Sequence, residues 1–263
     1  MNARLGESDS DTIVIEAYYP VGVSQILTTG GSNYIGLVDE STVLKYPHDP
    51  EDHELLNVEA NIYAALPYHP RILQWKGRTE QGLLLSLASN GSLAELLHKN
   101  SQLPTTTKLR LAVQACEAVA YIHAHNVLHC DINASNFVLD DALGLIICDF
   151  QGRLLNSDGS VRFNGGVSEN PKSRMPCKKD DEADVETEIF ALGSTIYHIM
   201  QGHEPFPDLD TFEDEVAIQE KFESHNFPDL EPALVGEVVH KCWKGAYRST
   251  EEVLYELRAL SID

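Results

Sequence analysis

His129-Cys130-Asp131-Ile132-Asn133-Ala134-Ser135-Asn136 is followed, after two short apolar runs, by Cys148-Asp149-Phe150. The runs Phe137–Leu139 and Leu145–Cys148 flank Asp140–Asp141 and read as a strand hairpin. Asp131 and Asn136 lie five residues apart in a loop, and Asp149 ends a strand 18 residues after Asp131. The hairpin brings the three side chains together. Phosphoryl transfer from a nucleotide needs a carboxylate to orient the attacking hydroxyl and oxygen ligands for Mg²⁺. An Asp, an Asn and a second Asp supply that set.

Working outward, Thr105 to Ala124 carries Leu109, Val113, Cys116, Val119, Ala120 and Ile122 as one helical stripe leading into the loop. Upstream, Gln25–Thr28, Tyr34–Asp39 and Thr42–Tyr46 read as three strands separated by Gly30–Gly31 and Asp39–Ser41. Glu54 to Leu66 has Leu55, Val58, Ile62 and Leu66 at helical spacing. Ile72–Trp75 and Gly82–Leu87 are two further strand candidates, and Ser92–His98 a short helix. Gly152 to Asp181 reads as a long polar surface loop, of a length compact domains seldom carry without a function. Glu188–Met200, Asp214–Glu223, Leu234–Trp243 and Thr250–Leu260 complete a helical second half. The fold class is α+β: a small lobe of five antiparallel strands with one helix, then a larger helical lobe.

The chain has 263 residues and is 43% hydrophobic, enough for a substantial core. No apolar run approaches the roughly 18 residues that span a bilayer. Met1 to Asp11 is polar and acidic with no basic-then-apolar leader pattern, so a cytoplasmic or nuclear location is expected. Lys and Arg number 19 against 41 Asp and Glu, a formal charge of -22. Such a surface repels phosphate backbones and anionic lipid, so neither nucleic acid nor membrane is an expected partner. Such a charge is accounted for by solubility alone; where the chain has a protein substrate or regulatory partner, it mildly favours a basic one. The five cysteines are scattered with no C-x-x-C pair, which fits reduced thiols, Cys116 and Cys148 being small core residues.

Tyr121 to Asp131 resembles the helix-to-catalytic-loop passage of eukaryotic protein kinases, whose loop reads H-R-D-x-x-x-x-N, and Asp149-Phe150-Gln151 resembles D-F-G. The resemblance extends over about residues 22–260. Val43-Leu44-Lys45 is similar to V-A-I-K, and Glu59, 14 residues later, stands where the partner of that lysine is found. Leu83–Leu85 would lead into a hinge at Ser86, Leu87 and Ala88, whose backbone would receive adenine, with Leu85 at the back of the pocket. Asn90-Gly91-Ser92-Leu93 resembles the start of the next helix. Glu188 to Gly193 looks like the D-x-W-S-x-G helix, Gly202 and Pro205-Phe206 like the turn after it, and Cys242-Trp243 with Arg248 like the family's C-terminal pattern. The general style is that of small, divergent kinase-like proteins of filamentous fungi.

The resemblance implies one kinase domain: an N-terminal extension over residues 1–21, partly disordered, an N-lobe over 22–87 and a C-lobe over 88–263. It implies ATP and Mg²⁺ as cofactors. Lys45, Asp131 and Asn136 would be catalytic, and Asn136 and Asp149 the metal ligands. Gly30, Gly31, Lys45, Glu59, Ser86 and Ala88 would bind the nucleotide.

Several positions depart from the pattern. With Tyr34 on the aromatic of G-x-G-x-[FY]-G-x-V, the three glycine positions hold Gly30, Ser32 and Ile35, so phosphate clamping should be weaker. Asn133 stands where serine/threonine kinases place a lysine, at a cost on the order of 10²–10³ in rate, which an amide hydrogen bond would partly offset. Cys130 replaces the arginine that pairs with an activation-loop phosphate, which predicts no phosphorylation switch there. Gln151 replaces the glycine of D-F-G, Gly152 following as a mobile hinge. Cys177 in Met175-Pro176-Cys177 leaves Arg248 without its usual glutamate, and Glu188 replaces a loop-capping aspartate. Two readings stay open. One is an ATP-dependent protein kinase, serine/threonine in style, slow or atypically regulated. The other is a pseudokinase, with or without nucleotide, acting as scaffold or allosteric partner. A small-molecule kinase fits less well, because Trp243 to Arg248 follows the protein-kinase C-terminus.

Overall fold

Five short runs rich in β-branched, aromatic and leucine residues pair into one antiparallel sheet, β1-β2-β3-β5-β4, in the computed structural model, which describes residues 18–100, 102–176 and 183–260. The strands are β1 (Gln25–Thr29), β2 (Asn33–Asp39), β3 (Thr42–Pro47), β4 (Trp75–Arg78) and β5 (Leu83–Ser86). Most of the expected N-terminal extension, residues 1–17, lies outside the described residues. Tyr18 is described and packs on the outer face of the sheet, its ring against Tyr34 and Tyr46 and its hydroxyl donating to the Pro47 carbonyl at 3.0 Å.

The expected strand Ile72–Trp75 is displaced to Trp75–Arg78. Ile72 and Leu73 are buried, but their backbone is bonded to the other lobe: Leu73 N–H donates to Ile147 O at 3.0 Å and Ile147 N–H to Arg71 O at 2.9 Å. Helix α1 (Glu54–Ala65) crosses the inner face of the sheet and buries Leu56, Val58, Ile62 and Tyr63. Leu55 and Leu66, read as part of the stripe, are only half-buried.

The second lobe is built on α3 (Thr105–Ala124) and α4 (Val185–Gln201). Cys116, Val119 and Ile122 of α3, and Ile189, Phe190, Leu192 and Ile196 of α4, are buried within the main hydrophobic core. Each large apolar side chain so buried contributes about 1.5–3 kcal/mol relative to exposure. Asp184 caps α4 reciprocally with Thr187, and Gly202, at φ +84°, closes it in the left-handed conformation that glycine adopts without strain. The expected helices are present as α2 (Leu93–Lys99), α5 (Glu215–Glu223), α6 (Ala233–Trp243) and α7 (Thr250–Leu260). A Cβ at Gly193 of α4 would come within 2.6 Å of Cys242 Cβ, so glycine sets the close approach of α4 and α6.

Residues 152–181, read as an irregular loop, contain a hairpin of β9 (Arg153–Leu155) and β10 (Val161–Asn164). Its turn carries Asp158-Gly159, with Gly159 at φ +83° and Asp158 accepting from Ser160 N–H at 2.9 Å. β9 also pairs with β6 (Val127–Leu128), so the start of this segment is fixed beside the loop of residues 129–136. Residues 177–182 lie outside the described residues. No helix among the described residues is long and apolar enough to cross a membrane.

Candidate active site

Strand β3 alternates its faces, and Lys45 points inward while Leu44 and Tyr46 join the outer cluster with Tyr34. Lys45 Nζ lies 2.6 Å from Glu59 Oε2 on α1 and 2.5 Å from Asp149 Oδ1, and Lys45 and Glu59 are buried. Burial alone would push the lysine pKa down, but Asp149 and Glu59 override it and hold the ammonium well above its ordinary value. For Asp149, burial opposes ionisation and Lys45 outweighs it, so the carboxyl is held below the usual range. Glu59, with no solvent, is pushed up by burial against the pull of Lys45. Asp149 is reached through the hairpin of β7 (Phe137–Leu139) and β8 (Leu145–Ile147), where Phe137 pairs with Ile147. At its base Cys148 N–H donates to Asn136 O at 2.9 Å, setting Asn136 beside Asp149 as the sequence implies.

Both oxygens of the Asp131 carboxylate are held by amides. Asn136 Nδ2 donates to Oδ2 at 2.8 Å, and Asn133 Nδ2 donates to Oδ1 at 2.8 Å. Burial pushes the Asp131 carboxyl up more than these bonds draw it down. Behind the loop, Glu188 is fully buried and accepts three bonds: from Cys130 N–H at 2.6 Å, His129 N–H at 2.9 Å and the His123 ring at 2.9 Å. Burial opposes its charge, but the His123 bond and the backbone donors keep the carboxyl below its ordinary value. The extra methylene relative to aspartate lets one side chain tie the loop to α3 as well as to α4.

Comparison with known sequences decides the family: the profile of protein tyrosine and serine/threonine kinases matches residues 41–252. The chain belongs to that family. Among its relatives are a serine/threonine-protein kinase-like protein of Arabidopsis thaliana, 28% identical over 149 residues (55% of this chain, 43% of the relative). A probable serine/threonine-protein kinase of Dictyostelium discoideum is 23% identical over 240 residues (78% and 21%). The dual specificity protein kinase shkA of the same organism is 28% identical over 210 residues (74% and 40%). The chain thus spans less than half the length of these relatives, and they do not single out fungi.

In this kinase fold the positions that depart from the family pattern have defined places. Ile35 stands opposite Lys45 in the β2–β3 register, so it shares the inner, cleft-facing side with the lysine, where it packs against the main core. Gly30 and Gly31 form the turn between β1 and β2, Gly30 N–H donating to Asn33 O at 2.8 Å. A Cβ would meet nothing at Gly31 and only Asn33 O, at 3.6 Å, at Gly30, so the turn offers open space without requiring glycine. At the hinge, Ser86 N–H is committed to Gln74 O and Leu87 N–H to Ser41 O, both at 2.9 Å, and Ala88 follows directly. Leu85 is buried opposite Val43.

Cys130 is buried and carries φ +61°. Gly152 is no free hinge: a Cβ there would fall 2.2 Å from Leu128 O and 2.3 Å from His129 O. Arg248 is exposed and makes no ion pair among the described residues, and Cys177 lies outside them.

Sequence reasoning missed a column of rings behind the lysine. Trp75 lies 6.3 Å from Tyr63, Tyr63 5.0 Å from Phe150, and Phe150 5.4 Å from His129, centroid to centroid. It joins β4, α1, the Asp149 segment and the catalytic loop. The one available signal was Tyr63, one helical turn after Glu59 and so on the same face of α1. A cavity of about 470 Å³ opens beside Asp131, Asn133 and Asn136 and runs along residues 167–171 to Glu204 and Phe212.

Proposed function

We propose that this chain is an ATP- and Mg²⁺-dependent protein kinase that phosphorylates serine or threonine hydroxyls of a protein substrate, with slow turnover. The observation that carries the reading is Lys45 bridging Glu59 and Asp149 within 2.6 Å, with Asp131 and Asn136 hydrogen-bonded alongside. Residues 22–87 form the N-lobe and 88–263 the C-lobe. Lys45, steadied by Glu59, contacts nucleotide phosphates under the Gly30–Gly31 turn, and the backbone of Ser86 and Ala88 receives adenine.

The donor set suits Mg²⁺. Asn136 spends its amide N–H on Asp131 and keeps Oδ1, and Asp149 keeps Oδ2 clear of Lys45. Among the described residues no group of three or more His, Cys, Asp or Glu is placed to hold a metal, so Asn136 and Asp149 need nucleotide oxygens and water to complete the shell. Bound Mg²⁺ supplies neutralisation of phosphate charge. Asp131, fixed by Asn133 and Asn136, orients the substrate hydroxyl from the floor of the 470 Å³ cavity. Glu204 on that cavity's wall, with contacts no closer than 3.5 Å to Asn170 and 3.8 Å to Lys172, supports a basic residue next to the acceptor. The names of two of the relatives, both serine/threonine-protein kinases, support serine/threonine specificity, and the composition supports a cytoplasmic or nuclear setting.

A second reading, a pseudokinase acting as scaffold or allosteric partner, rests on Ile35 beside Lys45 where phosphates would approach. Incubation with labelled ATP, Mg²⁺ and mixed basic proteins, with Asp131→Asn as control, separates the two. Transfer above the control is expected. Thermal stabilisation by Mg-ATP without transfer would sink the enzyme reading and leave the second.

A further inference from the structure

A second cavity, of about 380 Å³, shares no lining residue with the one beside Asp131. It is walled by Arg71 before β4, Glu117 and Tyr121 of α3, and Arg258 of α7. Arg71 Nε donates to Glu117 Oε2 at 3.0 Å and Arg258 Nη2 to Glu117 Oε1 at 2.8 Å. Burial works against the Glu117 charge, but the bonds from Arg258 and Arg71 keep its carboxyl below the usual range. One ionised carboxylate therefore faces two guanidiniums, leaving a net positive cavity on a chain of charge -22.

A guanidinium is a fork of several N–H donors. Beyond Glu117, Arg71 donates through Nη1 to Leu145 O at 3.4 Å, and Arg258 is more than half exposed. Most of the donors on two converging forks are thus without a protein acceptor among the described residues. The rest of the wall is rigid and partly apolar. The His69 ring stacks on Tyr121 at 3.9 Å and 14°, and Tyr121 Oη donates to Pro67 O at 2.8 Å. Burial, then the Arg71 charge, pushes the His69 imidazole pKa down.

We propose that this cavity is a binding site for a phosphoryl group, held between the Arg71 and Arg258 guanidiniums over the Tyr121–His69 floor. Glu117 spends one oxygen on each fork, whereas the three oxygens of a phosphoryl group suffice to take a paired set of N–H bonds from one fork and a further bond from the other. Glu117 holds the two arginines in place and limits the affinity. The site is independent of nucleotide chemistry at Lys45.

The test is a titration of the full chain with inorganic phosphate and with phenyl phosphate, at ionic strength held constant with chloride. Thermal unfolding and calorimetry are the readouts, on wild type, Arg258→Gln and Glu117→Gln. Saturable stabilisation of the wild type is expected. Arg258→Gln, at an exposed position, should weaken apparent phosphate affinity by about tenfold, the effect of losing one charge-assisted contact pair. Glu117→Gln should tighten it, because removing the carboxylate frees both forks. A purely structural ion triad predicts lower stability in both variants with no change in phosphate affinity. Identical titration curves in all three proteins, or a rise that never saturates, would overturn the proposal. Tighter binding of phenyl phosphate assigns the site to a phosphoryl carried on an aromatic side chain, and equal binding assigns it to free phosphate.

Discussion

Replacing Glu188 tests whether the catalytic loop is held from behind. In Glu188→Ala the N–H groups of His129 and Cys130 and the ring nitrogen of His123 lose their acceptor in a site where Glu188, His129 and Cys130 are about 1% exposed or less. A hydrogen bond to a charged group contributes about 1.5–3 kcal/mol, and orphaned buried donors pay their desolvation as well. Three such bonds, partly offset by relaxation, place the loss near 4–6 kcal/mol, at or slightly above the usual range for breaking a buried charged pair. At about 2–4 °C per kcal/mol for a domain of this size, the melting temperature should fall by roughly 10–20 °C. Glu188→Asp should lose about 1–3 kcal/mol, since the shorter side chain reaches the loop amides or His123 but not both. Glu188→Gln separates charge from shape, because its NH₂ must face a donor. Urea unfolding with an unchanged m-value gives the energies. Amide hydrogen exchange at His129 and Cys130 locates the effect, with protection lost there first. A drop below about 1 kcal/mol for Glu188→Ala, or a wild-type Glu188→Gln, would refute the clamp.

Four further outcomes follow from the same geometry. Ile35→Gly should tighten Mg-ATP binding by about tenfold, one added backbone–phosphate contact, at a cost of about 0.5–1 kcal/mol in strand stability; a thermal-shift titration reads both. Asn133→Lys should raise turnover by about 10²-fold, by supplying a cation at the transferring phosphate; labelled-ATP kinetics that show no gain in kcat would remove Asn133 as the cause of slow transfer. Gly152→Ala places a Cβ about 2.2 Å from a backbone carbonyl and should destabilise the fold by several kcal/mol, of order 3 or more by urea unfolding. His198 is pushed down to about 4, chiefly by burial and then by the nearby His203 and Lys172 charges. The unfolded chain therefore takes that proton first as pH falls. This part of stability is full above about pH 6.5 and is lost toward pH 4, by about 2 kcal/mol at pH 5, and His198→Phe should flatten the slope in denaturant titrations.

The legible parts of the molecule are those where chemistry is tied to short spacings along the chain. Asp131 and Asn136 share one loop, and the hairpin that returns Asp149 is announced by its turn residues, so three side chains could be gathered without any tertiary knowledge. Lys45 and Glu59 needed the family register, since a buried ion pair looks on paper like two solvated charges. The β9–β10 hairpin did carry a signal, Asp158-Gly159, but the polar composition around it outweighed strands of three and four residues. The ring column was beyond reach, because Trp75, Tyr63, Phe150 and His129 come from four separate segments and none is unusual alone.

Ile35 shows the limit most clearly. In the sequence it is a missing glycine, a loss of backbone access to phosphate. In the sheet it is also a gain, a branched side chain on the same face as Lys45 and packed toward the core. Those two effects act on different steps. Lost N–H contacts weaken the transition state and the ground state together, which raises KM. A side chain filling the approach to Lys45 excludes the phosphates sterically and leaves the adenine contacts at Ser86 and Ala88 untouched. Adenosine should then bind wild type and Ile35→Gly alike, while ATP distinguishes them. If Ile35→Gly tightens both ligands equally, the isoleucine acts through the sheet as a whole and not at the phosphates, and its case for the pseudokinase reading falls with it.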